Sequence, residues 1–214
     1  MKKGLKYLFV GIVAVAVSIG ARAGDIVVNW NAFQSTGVAL SSPTITEVPL
    51  GSTIQIGYFT IAPTPGSASL ANFVSWATDT INDGFPGYWL SSNTQDEAGT
   101  AGGVNGRQIY LVVTGPGNEL GIFSSSLPSW KFPTSADLVP TTSIDVNNLV
   151  DNAGTAGNSL AASAQIIFGS GPVFNAGDGF SYLKLAVVPE PSTYLLVGMG
   201  LLGALAFRRR FKRS

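Results

Sequence analysis

Thr53-Ile54-Gln55-Ile56-Gly57-Tyr58-Phe59-Thr60-Ile61 alternates apolar and polar side chains with a period of two. Ile54, Ile56 and Tyr58 share one face of a strand, while Phe59 and Ile61 fall on the other. A bulge at Gly57 accounts for the change of face. Gly51-Ser52 supplies the turn before the strand, and Pro63 to Gly66 breaks it. This stretch sets the class of the chain as mainly β.

Working outward, Asp25 to Phe33 repeats the alternation through Ile26, Val28 and Trp30, and Gln34 to Pro43 follows as a polar loop. Downstream, Leu70, Phe73, Val74, Ala77 and Ile81 fall on one helical stripe. The spacing predicts an amphipathic helix over 67–81, capped by Ser67 or Ser69 and ended by Asp83-Gly84. Ser91 to Gly106 reads as a long polar loop. Gln108 to Val113 is apolar without interruption from Ile109, the pattern of a strand buried on both faces. Gly115-Pro116-Gly117-Asn118 turns it into a hairpin with Leu120 to Phe123. Trp130-Lys131-Phe132 and Thr142 to Val146 are shorter strands, and Ala164 to Phe168 pairs with Phe180 to Val187 across Gly169 to Gly179. The expected architecture is a β-sandwich or partly open barrel with this one helix.

The two ends differ from this body. Lys2, Lys3 and Lys6 precede the apolar run Tyr7 to Ile19, and Ala21-Arg22-Ala23 forms an A-x-A site that leaves Gly24 as the new N-terminus. Residues 1–23 therefore read as a secretory signal peptide forming a signal helix, with the Sec translocon and signal peptidase as partners. At the other end stands Val188-Pro189-Glu190-Pro191-Ser192-Thr193, a hinge whose prolines disfavour helix in the residues before them. Residues 194–207 are an uncharged apolar run read as a transmembrane helix. From Ser192 the uncharged stretch reaches roughly 24 Å as helix, short of the ~30 Å hydrocarbon core, so local thinning and snorkelling arginines complete the span. Arg208, Arg209, Arg210, Lys212 and Arg213 lie in the basic tail 208–214, a cytoplasmic stop by the positive-inside rule. The chain thus divides into 1–23, a secreted β-rich domain at 24–187, and a C-terminal signal at 188–214.

The order Pro-Glu-Pro, apolar helix and arginine cluster resembles the PEP-CTERM sorting signal of Gram-negative bacteria. The resemblance covers Val188 to about Arg213. It implies that exosortase, an inner-membrane cysteine protease, cleaves near the Pro-Glu-Pro. It also implies a transient stay in the inner membrane, then a place at the cell surface or in an exopolysaccharide matrix, with roles in biofilm. The passage from Gly51 through Pro133 resembles an extracellular domain carried by other PEP-CTERM proteins, through Ile56-Gly57-Tyr58-Phe59, Gly106-Arg107-Gln108-Ile109-Tyr110, Gly121-Ile122-Phe123-Ser124 and Trp130-Lys131-Phe132-Pro133. It brings no activity with it.

Charge and composition narrow the chemistry. The 214 residues hold 12 basic and 12 acidic side chains. Once residues 1–23 and the basic tail 208–214 are set aside, only Arg107, Lys131 and Lys184 remain against all 12 acids from Asp25 to Glu190, a net charge of −9. Such a body repels nucleic acid, which is rejected as a partner. The chain has neither Cys nor His, which removes disulfides, imidazole metal ligands, Ser-His-Asp triads and Cys-His dyads.

What remains is carboxylates and aromatics. Asp79, Asp83, Asp96 and Glu97 flank the expected helix end and the long loop, but their spacing selects no pair for acid–base work on a glycosidic bond. Asp79 and Asp83 with Gly84 match positions 1, 5 and 6 of a calcium loop, yet Ile81 stands at position 3 and no Glu at position 12. Helix-end and turn duties are the plainer reading of these acids. Phe85, Tyr88 and Trp89 sit in a Gly/Pro-rich loop, as a platform for sugar rings or as a small core under the loop. Trp30, Trp76 and Trp130 read as structural. The expectation is a non-catalytic surface or matrix protein, structural or carbohydrate-binding, with exopolysaccharide as a partner and no cofactor beyond calcium. The alternatives are a carbohydrate-active enzyme with paired carboxylates, and a permanently anchored protein facing the periplasm.

Overall fold

A computed structural model describes residues 25–32, 35–82, 85–96, 103–134 and 141–190. Fourteen strands run through them: β1 (Asp25–Ala32), β2 (Thr36–Ala39), β3 (Thr53–Phe59), β4 (Phe73–Thr80), β5 (Trp89–Asp96), β6 (Tyr110–Thr114), β7 (Glu119–Ser125), β8 (Thr141–Asp145), β9 (Val150–Asp151), β10 (Ser159–Leu160), β11 (Ala164–Phe168), β12 (Ser170–Asn175), β13 (Phe180–Lys184) and β14 (Ala186–Val187). The main sheet has the order β11-β7-β6-β3-β4, with β14 also paired to β7. Two three-stranded sheets, β5-β1-β8 and β12-β13-β2, and the pair β10-β9 complete the architecture. The described residues are mainly β, and among them no barrel closes.

The strand that decided the class behaves as its sequence dictates. Ile54, Ile56 and Tyr58 enter the main core, and Phe59 joins a second cluster on the other face. The register of β3 against β4 shifts between Ile56 and Gly57. Ile56 pairs with Ala77 but Gly57 with Ser75, so Trp76 on β4 is the extra residue. A Cβ on Gly57 would lie 2.1 Å from the Val74 carbonyl oxygen, so only glycine allows this approach.

The main core fills the space between the layers. Ile54, Ile56, Trp76, Leu111, Val113 and Phe123 of the main sheet meet Ile26, Val28, Trp30, Trp89 and Ile144 of one small sheet and Val38 and Leu183 of the other. Each such side chain contributes about 1.5–3 kcal/mol when fully buried. Trp30, Trp76 and Trp130 are all buried, as expected of structural tryptophans. β6 lies between β3 and β7 and is buried on both faces, Leu111 and Val113 inward, Tyr110 and Val112 outward. The outer cluster of Phe59, Tyr110, Val112, Leu120, Ile122 and Ile167 is covered by Ala68 and Leu70. The Gly66 amide fixes that cover to the Ile167 carbonyl at 2.6 Å.

Several expectations are corrected. The helix predicted over 67–81 is not one: Phe73–Thr80 is strand β4 and the residues before it are an irregular cover. The bulge put Trp76 and Ala77 side by side in the core, and the resulting apolar spacing imitates a helical stripe. β-branched and aromatic residues in the same segment favoured the strand. The loop 34–43 contains β2, and the loop 91–106 begins with most of β5. Pro128–Trp130 is a 3-10 turn rather than strand, and Lys131 makes only an isolated bridge to Gln108. β11 pairs with β7, while β13 pairs with β12 and β2, so the hairpin expected between 164–168 and 180–187 does not form. The signal helix and the apolar run 194–207 lie outside the described residues. Among the described residues no helix is long and apolar enough to cross a membrane.

Candidate functional site

The sequence hinge leaves the fold at the outer edge of β7. Two strands share that edge. β11 covers Ile122 to Ser125, and β14 covers Glu119 and Leu120. Leu185 anchors the approach, buried in the main core with its amide bonded to the Ala39 carbonyl at 2.8 Å. Ala186 then pairs with Leu120 and Val187 with Glu119. The Val188 amide donates to the Asn118 carbonyl at 2.9 Å, which extends the ladder by one bond. Strand alternation turns the Val188 side chain outward against the second cluster. Val187 is 54% exposed. Pro189 lacks an amide hydrogen and ends the ladder. Pro189 and Glu190 are exposed.

The partner edge is built by the β6–β7 turn. Gly117 and Asn118 have φ of 66° and 61°, the left-handed region that Gly and Asn tolerate best. The Glu119 carboxylate points back to the β2–β3 connection, where it accepts from the Ser41 amide at 2.9 Å and from the Ser41 hydroxyl. An open groove of about 440 Å³ runs beside the hinge, between the cover residues Ala68 and Leu70 and the run Val188 to Glu190. Of the sorting hinge, Pro191, Ser192 and Thr193 lie outside the described residues. So do the basic stop at Arg208, Arg209, Arg210, Lys212 and Arg213 and the cleavage site at Ala21, Ala23 and Gly24.

The aromatic platform does not stand at the surface. Trp89 is fully buried in the main core and Tyr88 is buried, while Phe85 alone is exposed. Tyr88 packs edge-on against Phe180 and Tyr182, at 5.6 and 6.1 Å between ring centres. Gly37 makes room for them: a Cβ there would lie 2.9 Å from the Tyr88 ring. The core alternative for this loop is therefore the observed one.

The same rings form a polar cluster that the sequence did not single out. The Tyr88 hydroxyl donates to the Tyr182 hydroxyl at 3.1 Å. Tyr182 in turn reaches Glu47 Oε1 at 3.0 Å and Asp178 Oδ2 at 2.9 Å. A phenol has one proton, so it serves one carboxylate at a time. Asp178 also accepts from Asn175 Nδ2 at 2.6 Å and from the Phe180 amide at 2.8 Å. Burial pushes the Tyr88 hydroxyl up to about 12 and raises Tyr182 further, because the phenolate would lose its water and face carboxylates. The cluster braces β13 against the loop before β3.

Of the two candidate calcium acids, Asp79 is engaged in other contacts. Asp79 lies in strand β4, not at a helix end. It accepts from the Thr80 amide at 2.8 Å and from the Ser91 hydroxyl, which ties β4 to β5. Asp83 and Glu97 lie outside the described residues, and β5 ends at Asp96. Among the described residues no group of three or more His, Cys, Asp or Glu side chains could hold a metal ion. Asp145 caps a 3-10 turn through the Asn147 amide at 2.8 Å.

Residues 187–210 match the PEP-CTERM protein-sorting motif. The chain therefore carries the sorting signal of an exosortase-processed, surface-directed protein, and the signal begins where the last strand ends. No curated protein and no solved structure matches the chain.

Proposed function

From that junction we propose a releasable, non-catalytic surface or matrix protein, held for a time in the inner membrane by its C-terminal segment. The observation that carries the reading is the position of the matched motif, which begins at the last strand. β14 ends at Val187 and the exposed Pro189-Glu190 follows at once. Cleavage in the hinge leaves all fourteen strands with the released domain and removes the apolar and basic tail together. The export signal at 1–23 delivers the domain across the membrane, and the cations from Arg208 keep the tail on the cytoplasmic side.

The mature domain is a structural component of the surface or exopolysaccharide matrix in this reading. Its acidity keeps it soluble and away from anionic partners. Glu47 and Asp178, the two carboxylates that meet at Tyr182, are engaged in bracing that hydroxyl, which supports a structural role for the pair. Tagged chain expressed with and without the sorting protease tests the proposal. Released protein lacking the tail is expected with the protease, and full-length protein in the membrane fraction without it. Equal retention in both hosts would leave a permanent anchor instead.

A further inference from the structure

We propose that the sheet latches the sorting hinge, so that β14 must leave β7 before the motif can be cut. This rests on the reading of the motif as a processing site. The backbone just before the hinge is already engaged. The Leu185 amide is bonded to Ala39, Ala186 pairs with Leu120, and the Val188 amide is bonded to Asn118. A protease that binds its substrate as an added strand needs backbone groups from this same run.

Space argues the same way. Five residues, and so six Cα–Cα steps, lie between Val188, whose amide is bonded to Asn118, and Tyr194, where the apolar run begins. Fully extended, they reach at most about 20 Å. A folded body of some 160 residues has a radius of gyration near 15 Å, so it crowds any active site at the membrane surface. Freeing residues 186–188 lengthens the tether by roughly 10 Å.

The latch is built to open locally. β14 has two residues on a sheet edge, and Val187 is exposed. β11 holds the rest of the β7 edge independently, and Leu185 stays buried as a stop. Release of β14 therefore leaves the central ladder of β7, β6 and β3 intact. Processing becomes conditional on local opening of this edge, whose free energy the fold sets.

The test is a lock and a bypass in the full chain, placed in membrane vesicles with exosortase. Val187 and Glu119 form the pair between two ladder-bonded pairs, where Cα atoms come closest and a disulfide fits. The chain has no cysteine of its own, so Val187→Cys with Glu119→Cys gives one defined bridge. Oxidised before reconstitution, this variant is expected to lose processing while wild-type chain in the same vesicles is cut. The reduced variant is expected to regain it. Inserting Gly-Ser-Gly-Ser between Val188 and Pro189, with Glu119 untouched, is expected to speed processing. A bridged chain cut as fast as its reduced form, or an insertion that leaves the rate unchanged, overturns the latch. If wild-type chain is not cut at all, the processing reading itself fails and the latch falls with it.

Discussion

The Asn118 carbonyl accepts the Val188 amide at 2.9 Å, one residue before the proline that opens the sorting hinge. Asn118 does this from the left-handed region, at φ 61°. A β-branched residue there is strained. Asn118→Val is expected to cost about 1–2 kcal/mol and to speed exchange of the Val188 amide. Asn118→Gly keeps the turn and should leave both nearly unchanged. Thermal unfolding and amide exchange of the two variants check this.

Gly57 faces the bulge on β4 with no room for a methyl group. A Cβ would sit 2.1 Å from the Val74 oxygen, which is backbone and cannot swing away. Gly57→Ala is expected to cost about 3 kcal/mol, the upper end of ordinary overpacking. Denaturant unfolding measures it. A neutral result would mean that the β3–β4 bulge is not where the structure puts it.

Trp89 separates the two readings of the aromatic loop. Fully buried, it should cost about 3–5 kcal/mol when replaced by Ala. As a surface sugar platform it would leave the melting temperature alone and weaken only polysaccharide binding. Phe85→Ala, at an exposed site, is expected to change stability little.

The tyrosine cluster makes the fold sensitive to alkali. The Tyr88 proton is held up to about 12 in the folded chain against an ordinary value of 10.0. The unfolded state therefore loses this proton first as pH rises. Stability from Tyr88 is complete below pH 10 and is lost between 10 and about 12. Tyr182 shifts in the same direction, so the loss continues upward. The melting temperature is expected to fall across that window, and less steeply in Tyr88→Phe.

The sequence carried the parts of the fold that depend on near neighbours. Ile54, Ile56 and Tyr58 against Phe59, and the unbroken apolar run of β6, placed two central strands and their faces. The same logic misread β4, since the extra residue at Trp76 is set by the partner strand and breaks the period from within. The hinge was legible because two prolines and a charge cluster act locally. Its docking was not, because the partner Asn118 lies 70 residues earlier in the chain. Likewise Glu47 and Tyr182 are 135 residues apart and meet only through the parallel pairing of β2 with β13.

In the proposed function the chain is cut in the hinge and set free. Mass spectrometry of the C-terminus of protein recovered outside the cell tests it most directly. With exosortase present, the account predicts a terminus between Val188 and Thr193, no peptide from residues 194–214, and loss of this product in Glu190→Ala. Full-length protein ending at Ser214, retained in the inner membrane whether or not exosortase is present, would contradict it.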